Sequence, residues 1–196
     1  MKKAYIVGID EVGRGPLAGP VTLAACAFPV DFKLPAFDFK IKDSKKMSEE
    51  KRKEVYKVLY GLKQEGKICF SLSSVSHDLI DKYGLSACIK TAIKRCLAKL
   101  AIEPSNAEVL LDGGLKAPPE YENQQTIIKG DEKEEIIALA SIIAKVCRDS
   151  VMCNLSKKYP EYDFHTHKGY GTKAHYAALE KYGPCEIHRR SFLKNI

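Results

Sequence analysis

The sequence predicts an α/β fold built on a mixed sheet, and three observations carry that prediction. Short apolar runs end in a carboxylate with glycine close behind, as at Ile9-Asp10 and at Leu111-Asp112-Gly113. Helical segments of ten or more residues separate the later runs, which requires crossover connections and hence some parallel pairing. No repeat, low-complexity tract or linker interrupts the 196 residues. One domain is therefore expected, with residues 160–196 or so forming a small helical and loop extension packed on it.

Taken in order, Ala4 to Ile9 is a short apolar run and reads as a buried strand. Asp10 and Glu11 follow it directly. A carboxylate at such a place loses hydration, and the compensating charge must come from across the fold or from a bound metal. Gly13, Gly15 and Gly19 lie one residue off the dinucleotide-binding spacing. Pro16 and Pro20 also forbid the helix that a dinucleotide loop places behind its glycines. What remains is a glycine-rich turn carrying one arginine, whose backbone a ligand can approach closely.

Val21 to Phe28 is a second strand, rich in small residues, and Pro29 to Phe39 is a loop. Ser48 is placed to cap a helix whose apolar face is Val55, Val58, Leu59 and Leu62. Lys67 to Val75 alternates like a strand, and Ser76 or His77 opens a short helical turn. Leu85 to Leu100 is amphipathic, with lysines and Arg95 opposite its apolar face, and Pro104 stops it. Ala107 to Asp112 is a strand ending in an acid, followed by Gly113-Gly114. Gln124 to Ile128 is a short strand, and Lys129-Gly130-Asp131 places another acid in the turn after it. Ile136 to Leu155 is apolar around most of its circumference and reads as a buried helix, with Ser141, Lys145 and Asp149 along one edge. His165 to Thr172 is a loop, and Lys173 to Tyr182 a last helix closed by Gly183-Pro184.

The net charge of +7 suits a polyanionic partner. Eight Lys/Arg face four Asp/Glu between Lys40 and Lys57, and six face two from His165 onward. Two basic segments flanking an acidic centre fit a nucleic-acid groove around a metal site. No apolar run approaches a membrane span, and the N-terminal apolar stretch is too short for a signal peptide, so a cytoplasmic location is expected. The seven cysteines include no C-x-x-C pair. They read as small buried hydrophobes in a reducing compartment.

If the strands ending at Asp10 and Asp112 are parallel neighbours, their carboxylates meet at the carboxyl edge of the sheet, where ligands favour binding. Asp131 can join from the next strand and Asp149 from the buried helix. Acids held together repel and their pKa values rise unless cations are present. All-oxygen ligation selects hard ions, Mg²⁺ first and Mn²⁺ second. Two such ions about 3.5–4 Å apart activate water on one side of a phosphodiester and stabilise the leaving oxygen on the other.

The stretch Gly8 to Pro20 and the motifs Asp43-Ser44-Lys45-Lys46, Asp112-Gly113, Lys129-Gly130-Asp131, Ala140 to Asp149, His167 to Thr172 and Ile187 to Phe192 together resemble ribonuclease HII of the bacterial type, in one order along nearly the whole chain. The resemblance implies a ribonuclease H-like mixed five-stranded sheet flanked by helices, with a small helical C-terminal part. It implies a metal-dependent endonuclease that cuts RNA within RNA/DNA hybrids and 5′ of single ribonucleotides embedded in duplex DNA, leaving 3′-hydroxyl and 5′-phosphate ends. By motif, Asp10, Glu11, Asp112 and Asp131 match the catalytic acids and Asp149 a supporting acid at the metals. Gly13-Arg14-Gly15 matches the loop that reads the 2′-hydroxyl with its backbone, the group that distinguishes RNA from DNA. Tyr170 matches the tyrosine that packs on the sugar after the ribonucleotide, and Lys45 and Lys46 resemble phosphate contacts.

In a regular strand Asp10 and Glu11 point to opposite faces, so one of them is expected to act through a distorted strand end, a bridging water or its own carbonyl. Val12, Met47 and Ser150 depart from the family's usual alanine, leucine and arginine. The expected partners are an RNA/DNA hybrid and ribonucleotide-containing duplex DNA, with no membrane and the chain acting as a monomer. The sequence gives no support for docking on a replication clamp and assigns no role to His165, His167 or His188. A DNA-only nuclease of the same fold and a non-catalytic binding module are the competing readings; the Gly13-Arg14-Gly15 loop and Tyr170 speak against the first.

Overall fold

The computed structural model describes residues 4–39, 41 and 47–193. Five strands form one sheet in the order β3-β2-β1-β4-β5. They are β1 (Tyr5–Val12), β2 (Val21–Pro29), β3 (Cys69–Val75), β4 (Ala107–Asp112) and β5 (Gln124–Ile127). β2 pairs antiparallel with both β1 and β3, whereas β4 is parallel to β1 and β5 parallel to β4. The predicted mixed five-stranded sheet is present.

Among the described residues seven α-helices surround it: α1 (Glu49–Gln64), α2 (His77–Tyr83), α3 (Leu85–Leu100), α4 (Gly130–Lys133), α5 (Glu135–Lys158), α6 (Phe164–His167) and α7 (Lys173–Tyr182). The period-two alternation of β1 sorts the layers. Val7 and Ile9 join the α3 residues Ile89, Ile93 and Cys96 in one cluster. On the opposite face Ala24, Cys26 and Leu110 pack with Val55 and Leu59 of α1 and Ile136, Leu139 and Ile143 of α5. β2 is covered on both faces, with Val21 through Phe28 all buried, which is why its sequence is a continuous run of small apolar residues. Gly8 allows α5 to approach β1: a Cβ there would lie 2.4 Å from the Ile136 carbonyl oxygen.

A third cluster (Leu17, Ala18, Met152, Phe164, Leu179, Ile187) ties the glycine loop to α5 and the C-terminal elements. The loop and the C-terminal segment are also joined backbone to backbone, by Gly19 N–H to Ile187 O at 2.9 Å and Arg189 N–H to Leu17 O at 2.8 Å. Ser48 caps α1 as expected, its Oγ accepting from Lys51 N–H at 3.3 Å.

Three local expectations are corrected. β1 does not stop at Ile9 but continues through Asp10 and Glu11 to Val12, because β2 pairs with it to Val12↔Thr22. The turn at Gly130-Asp131 is a single helical turn, α4, and the segment from His165 begins inside another, α6. Cys69 is exposed on edge strand β3, although Cys26, Cys88 and Cys96 are buried as expected, and all seven thiols are free. Among the described residues, no helix is long and apolar enough to cross a membrane.

Candidate active site

The sheet opens where the acids sit. β1 keeps β4 as a neighbour only as far as Ile9↔Leu111, while its pairing with β2 runs on. One more step along that register brings Asp10 beside Asp112, at the carboxyl ends of two parallel strands. Asp112 is the last residue of β4, paired to Ile127, and its Oδ1 accepts a 2.6 Å hydrogen bond from Gly130 N–H. That bond draws the start of α4 onto the same edge, with Asp131 the next residue and 4% exposed.

Asp10 is 3% exposed. Burial pushes its carboxyl well above the usual carboxylate range, and the charges of Glu11 and Asp112 push it the same way. Hydrogen bonds from Ser141 on α5 and from Glu11 N–H, the latter at 2.7 Å, oppose the shift without cancelling it. Glu11 lies on the opposite face of β1, as the alternation requires. Its Oε1 accepts from Arg14 Nη1 at 2.9 Å, whereas its Oε2 is buried without a hydrogen-bond partner. Burial raises the Glu11 carboxyl too, Arg14 lowers it and Asp112 raises it. Asp10, Glu11 and Asp112 thus share one field.

Asp149 lies elsewhere along α5. It is eight residues, or about 12 Å of helix, beyond Ser141, and its Oδ1 accepts from Lys145 Nζ at 2.9 Å. Glu49, Arg52 and Lys53 line the cleft beside it. Lys45 and Lys46 lie outside the described residues. Among the described residues, no three His, Cys, Asp or Glu side chains stand close enough to hold an ion as placed. The acids occupy one edge, but their carboxylates would have to move together to enclose a cation.

Gly13 has φ +90°, and a Cβ there would lie 2.3 Å from Arg148 Nε and 2.7 Å from Pro20 O. Behind this loop stand two side chains that sequence reasoning missed. Arg148 and Arg189 are each 0% exposed, and neither takes part in any ion pair among the described residues. Arg189 donates to the carbonyls of Gly13 (2.7 Å), Arg14 (2.9 Å) and Gly19 (3.0 Å). Arg148 donates to Pro20 (2.9 Å), Lys168 (3.0 Å) and Ala18 (3.3 Å). Burial pulls Arg189 down to about 10, with the Arg148 charge adding to it. Arg189 turns two peptide planes: a trans peptide whose carbonyl faces inward points the next N–H the other way. With no cis bonds among the described residues, the N–H groups of Arg14 and Gly15 face away from Arg189.

Tyr170 is 40% exposed and stands beside this loop, its Cε1 4.0 Å from where a Gly15 Cβ would be. The Arg148 guanidinium lies 5.9 Å from its ring centre. A narrow cleft lined by Arg14, Lys90 and Lys116 continues from the loop past Gly114. Both missed arginines belong to motifs whose residues are visible in the sequence, but their partners are main-chain carbonyls, which leave no mark there.

Strand order, helix placement and an acidic edge define the class: an α/β nuclease of the ribonuclease H-like fold. A family model described as ribonuclease HII matches residues 7–195, and the chain belongs to that family. It is a metal-dependent endoribonuclease. Ribonuclease HII of Caldicellulosiruptor bescii is 44% identical over 192 residues, 98% of this chain and 88% of the relative. Ribonuclease H2 from Pyrococcus horikoshii OT3 shares the fold at 24% identity with a TM-score of 0.72, over 97% of this chain and 100% of the other. A Bst ribonuclease HIII solved in complex with Mn²⁺ shares it at 20% identity with a TM-score of 0.67, covering 93% and 64%.

Proposed function

We propose that the chain hydrolyses the RNA strand of RNA/DNA hybrids and cuts duplex DNA 5′ of single embedded ribonucleotides, with two divalent cations held by Asp10, Glu11, Asp112 and Asp131. The donor set suits such ions. It is all oxygen, two of its carboxyls resist ionisation through burial, and Glu11 Oε2 is buried without a partner, a costly arrangement that a cation would relieve. Bound there, Mg²⁺ or Mn²⁺ supplies Lewis-acid charge toward the scissile phosphate.

The rest of the chemistry is carried by this chain's own groups. Ser141 and Gly130 N–H orient Asp10 and Asp112, and Arg14 orients Glu11. The outward N–H groups of Arg14 and Gly15 are placed to donate to a 2′-hydroxyl. Two buried guanidiniums behind them add a positive field that favours an anionic backbone. The Tyr170 ring packs on the deoxyribose after the ribonucleotide, where an extra hydroxyl would clash. Asp149, tied to Lys145 further along α5, acts on the metal acids through its charge and not as a direct ligand, and Lys45 and Lys46 meet phosphates.

The observation that carries this reading is the loop itself, its carbonyls turned onto Arg189 and its amides outward beside Tyr170. The test compares a duplex carrying one ribonucleotide with the same all-DNA duplex, with and without Mg²⁺. Cutting of the first alone, and only with Mg²⁺, is expected; equal cutting of both defeats the assignment. Asp112→Asn should retain hybrid binding and lose at least about a hundredfold in turnover. Tyr170→Ala should weaken junction preference more than Arg14→Lys, because main-chain contacts survive the latter.

A further inference from the structure

Three imidazoles lie buried between α6, α7 and the C-terminal segment, unused by the chemistry above. His167 is 8% exposed, His175 0% and His188 1%. The rings of His167 and His175 stack at 4.4 Å, with Phe164 edge-on to both. Hydrogen bonds link them in one consistent sense. Cys185 N–H donates to His188 Nδ1 at 3.0 Å, closer than the 3.3 Å from that nitrogen to Cys185 O; with Nδ1 as the acceptor, Nε2 carries the proton. His188 Nε2 lies 3.0 Å from His175 Nε2, which therefore accepts. His175 is left with its proton on Nδ1, 2.9 Å from the Tyr170 carbonyl oxygen. His167 follows the same logic: Gly169 N–H donates to its Nδ1 at 3.2 Å, and its Nε2–H donates to Tyr162 O at 2.6 Å. In this sense every ring nitrogen is satisfied with all three rings neutral.

The two ends of this relay matter. One end is the Cys185–Arg189 segment, which holds the glycine loop through Ile187 O and the Arg189 side chain. The other is the backbone of Tyr170, whose N–H is itself held by His167 O at 2.9 Å. The residue before it is locked to the loop, Leu17 N–H donating to Gly169 O at 2.8 Å.

The geometry points to a positioning role for His175 and His188: the neutral pair fixes Tyr170 relative to the Gly13-Arg14-Gly15 loop and so sets selectivity for the ribonucleotide–deoxyribonucleotide junction. Burial supports the neutral state, holding His175 below its ordinary value and His188 at about 4. This inference rests on the proposed reading of Tyr170.

The test is the ratio of kcat/KM for an embedded ribonucleotide to that for a continuous hybrid. Effects common to all substrates cancel in that ratio. His175→Phe keeps the ring volume and removes both hydrogen bonds, and the ratio should fall about threefold to tenfold. His175→Asn keeps an N–H donor near the Nδ1 position and should recover most of the loss. Tyr170→Ala is measured alongside. If it lowers the ratio and His175→Phe does not, the positioning role is wrong. If neither wild type nor Tyr170→Ala shows a junction effect, the reading of Tyr170 fails and takes the inference with it. Nitrogen-15 NMR of the wild-type protein at neutral pH is independent of folding in the variants. It should find His175 as the neutral Nδ1–H tautomer and His188 as the Nε2–H tautomer; the opposite assignment, or a charged ring, overturns the relay.

Discussion

At Asp10, burial and the charges of Glu11 and Asp112 all oppose ionisation. Its folded carboxyl binds a proton more tightly than the unfolded one, so its ionisation opposes folding as pH rises from the ordinary 3.8 through the raised value. That penalty grows with pH until the raised value is passed, unless a cation offsets it. In chelator, Asp10→Asn should therefore stabilise the chain by about 1–3 kcal/mol in urea unfolding. Divalent ions should raise the wild-type midpoint and leave that of the variant nearly unchanged; a variant less stable than wild type in chelator would contradict this. Gly13 makes the opposite case. At φ +90° with Arg148 and Pro20 O crowding the Cβ position, Gly13→Ala should cost about 2 kcal/mol, read as a lower melting temperature. A melting temperature equal to wild type would show that the loop relaxes.

Secondary-structure elements show what could be seen in the residues and what could not. α3 and α7 begin and end where their apolar period and flanking Gly and Pro place them, and β4 ends at Asp112 as its pattern indicates. β1 overran its expected end because charge looked like a stop signal, whereas its partner β2 continues the ladder under those charges. α4 and α6 have four residues each, too few for a helical period to register. Convergence of β1, β4 and α4 followed from three acids beside glycines. The arginines and the histidine relay stayed hidden because distant main-chain atoms and tertiary neighbours complete them.

That relay also has a pH signature. His188 titrates near 4 when folded and near 6.5 when unfolded, so the unfolded chain takes up the proton first as pH falls. His175, Cys185, Arg190 and His77 face it, and none supplies a negative charge at that pH. The His188 contribution to stability should be flat above 6.5 and fall by roughly 1–2 kcal/mol toward pH 4, against the opposite trend from Asp10 and Glu11. His188→Gln should flatten that slope, and a slope equal to wild type would remove the relay as its cause.

Across the molecule, charge is arranged around the acidic edge: Arg14, Lys90 and Lys116 line one cleft, and Arg52 and Lys53 stand with Asp149 in another. If about three phosphates are neutralised, the affinity of Asp112→Asn for a hybrid should fall with salt at a log–log slope of roughly −2 to −3. The account stands most of all on the acids of the sheet edge closing together on a divalent ion, although their side chains do not yet meet as placed. Titration of Mn²⁺ followed by electron paramagnetic resonance addresses that directly. Wild type should take up the ion saturably, and Asp112→Asn should bind it at least about tenfold more weakly. Equal affinity in the two proteins would mean that Asp112 holds no ion, and the proposed chemistry at this edge would be wrong.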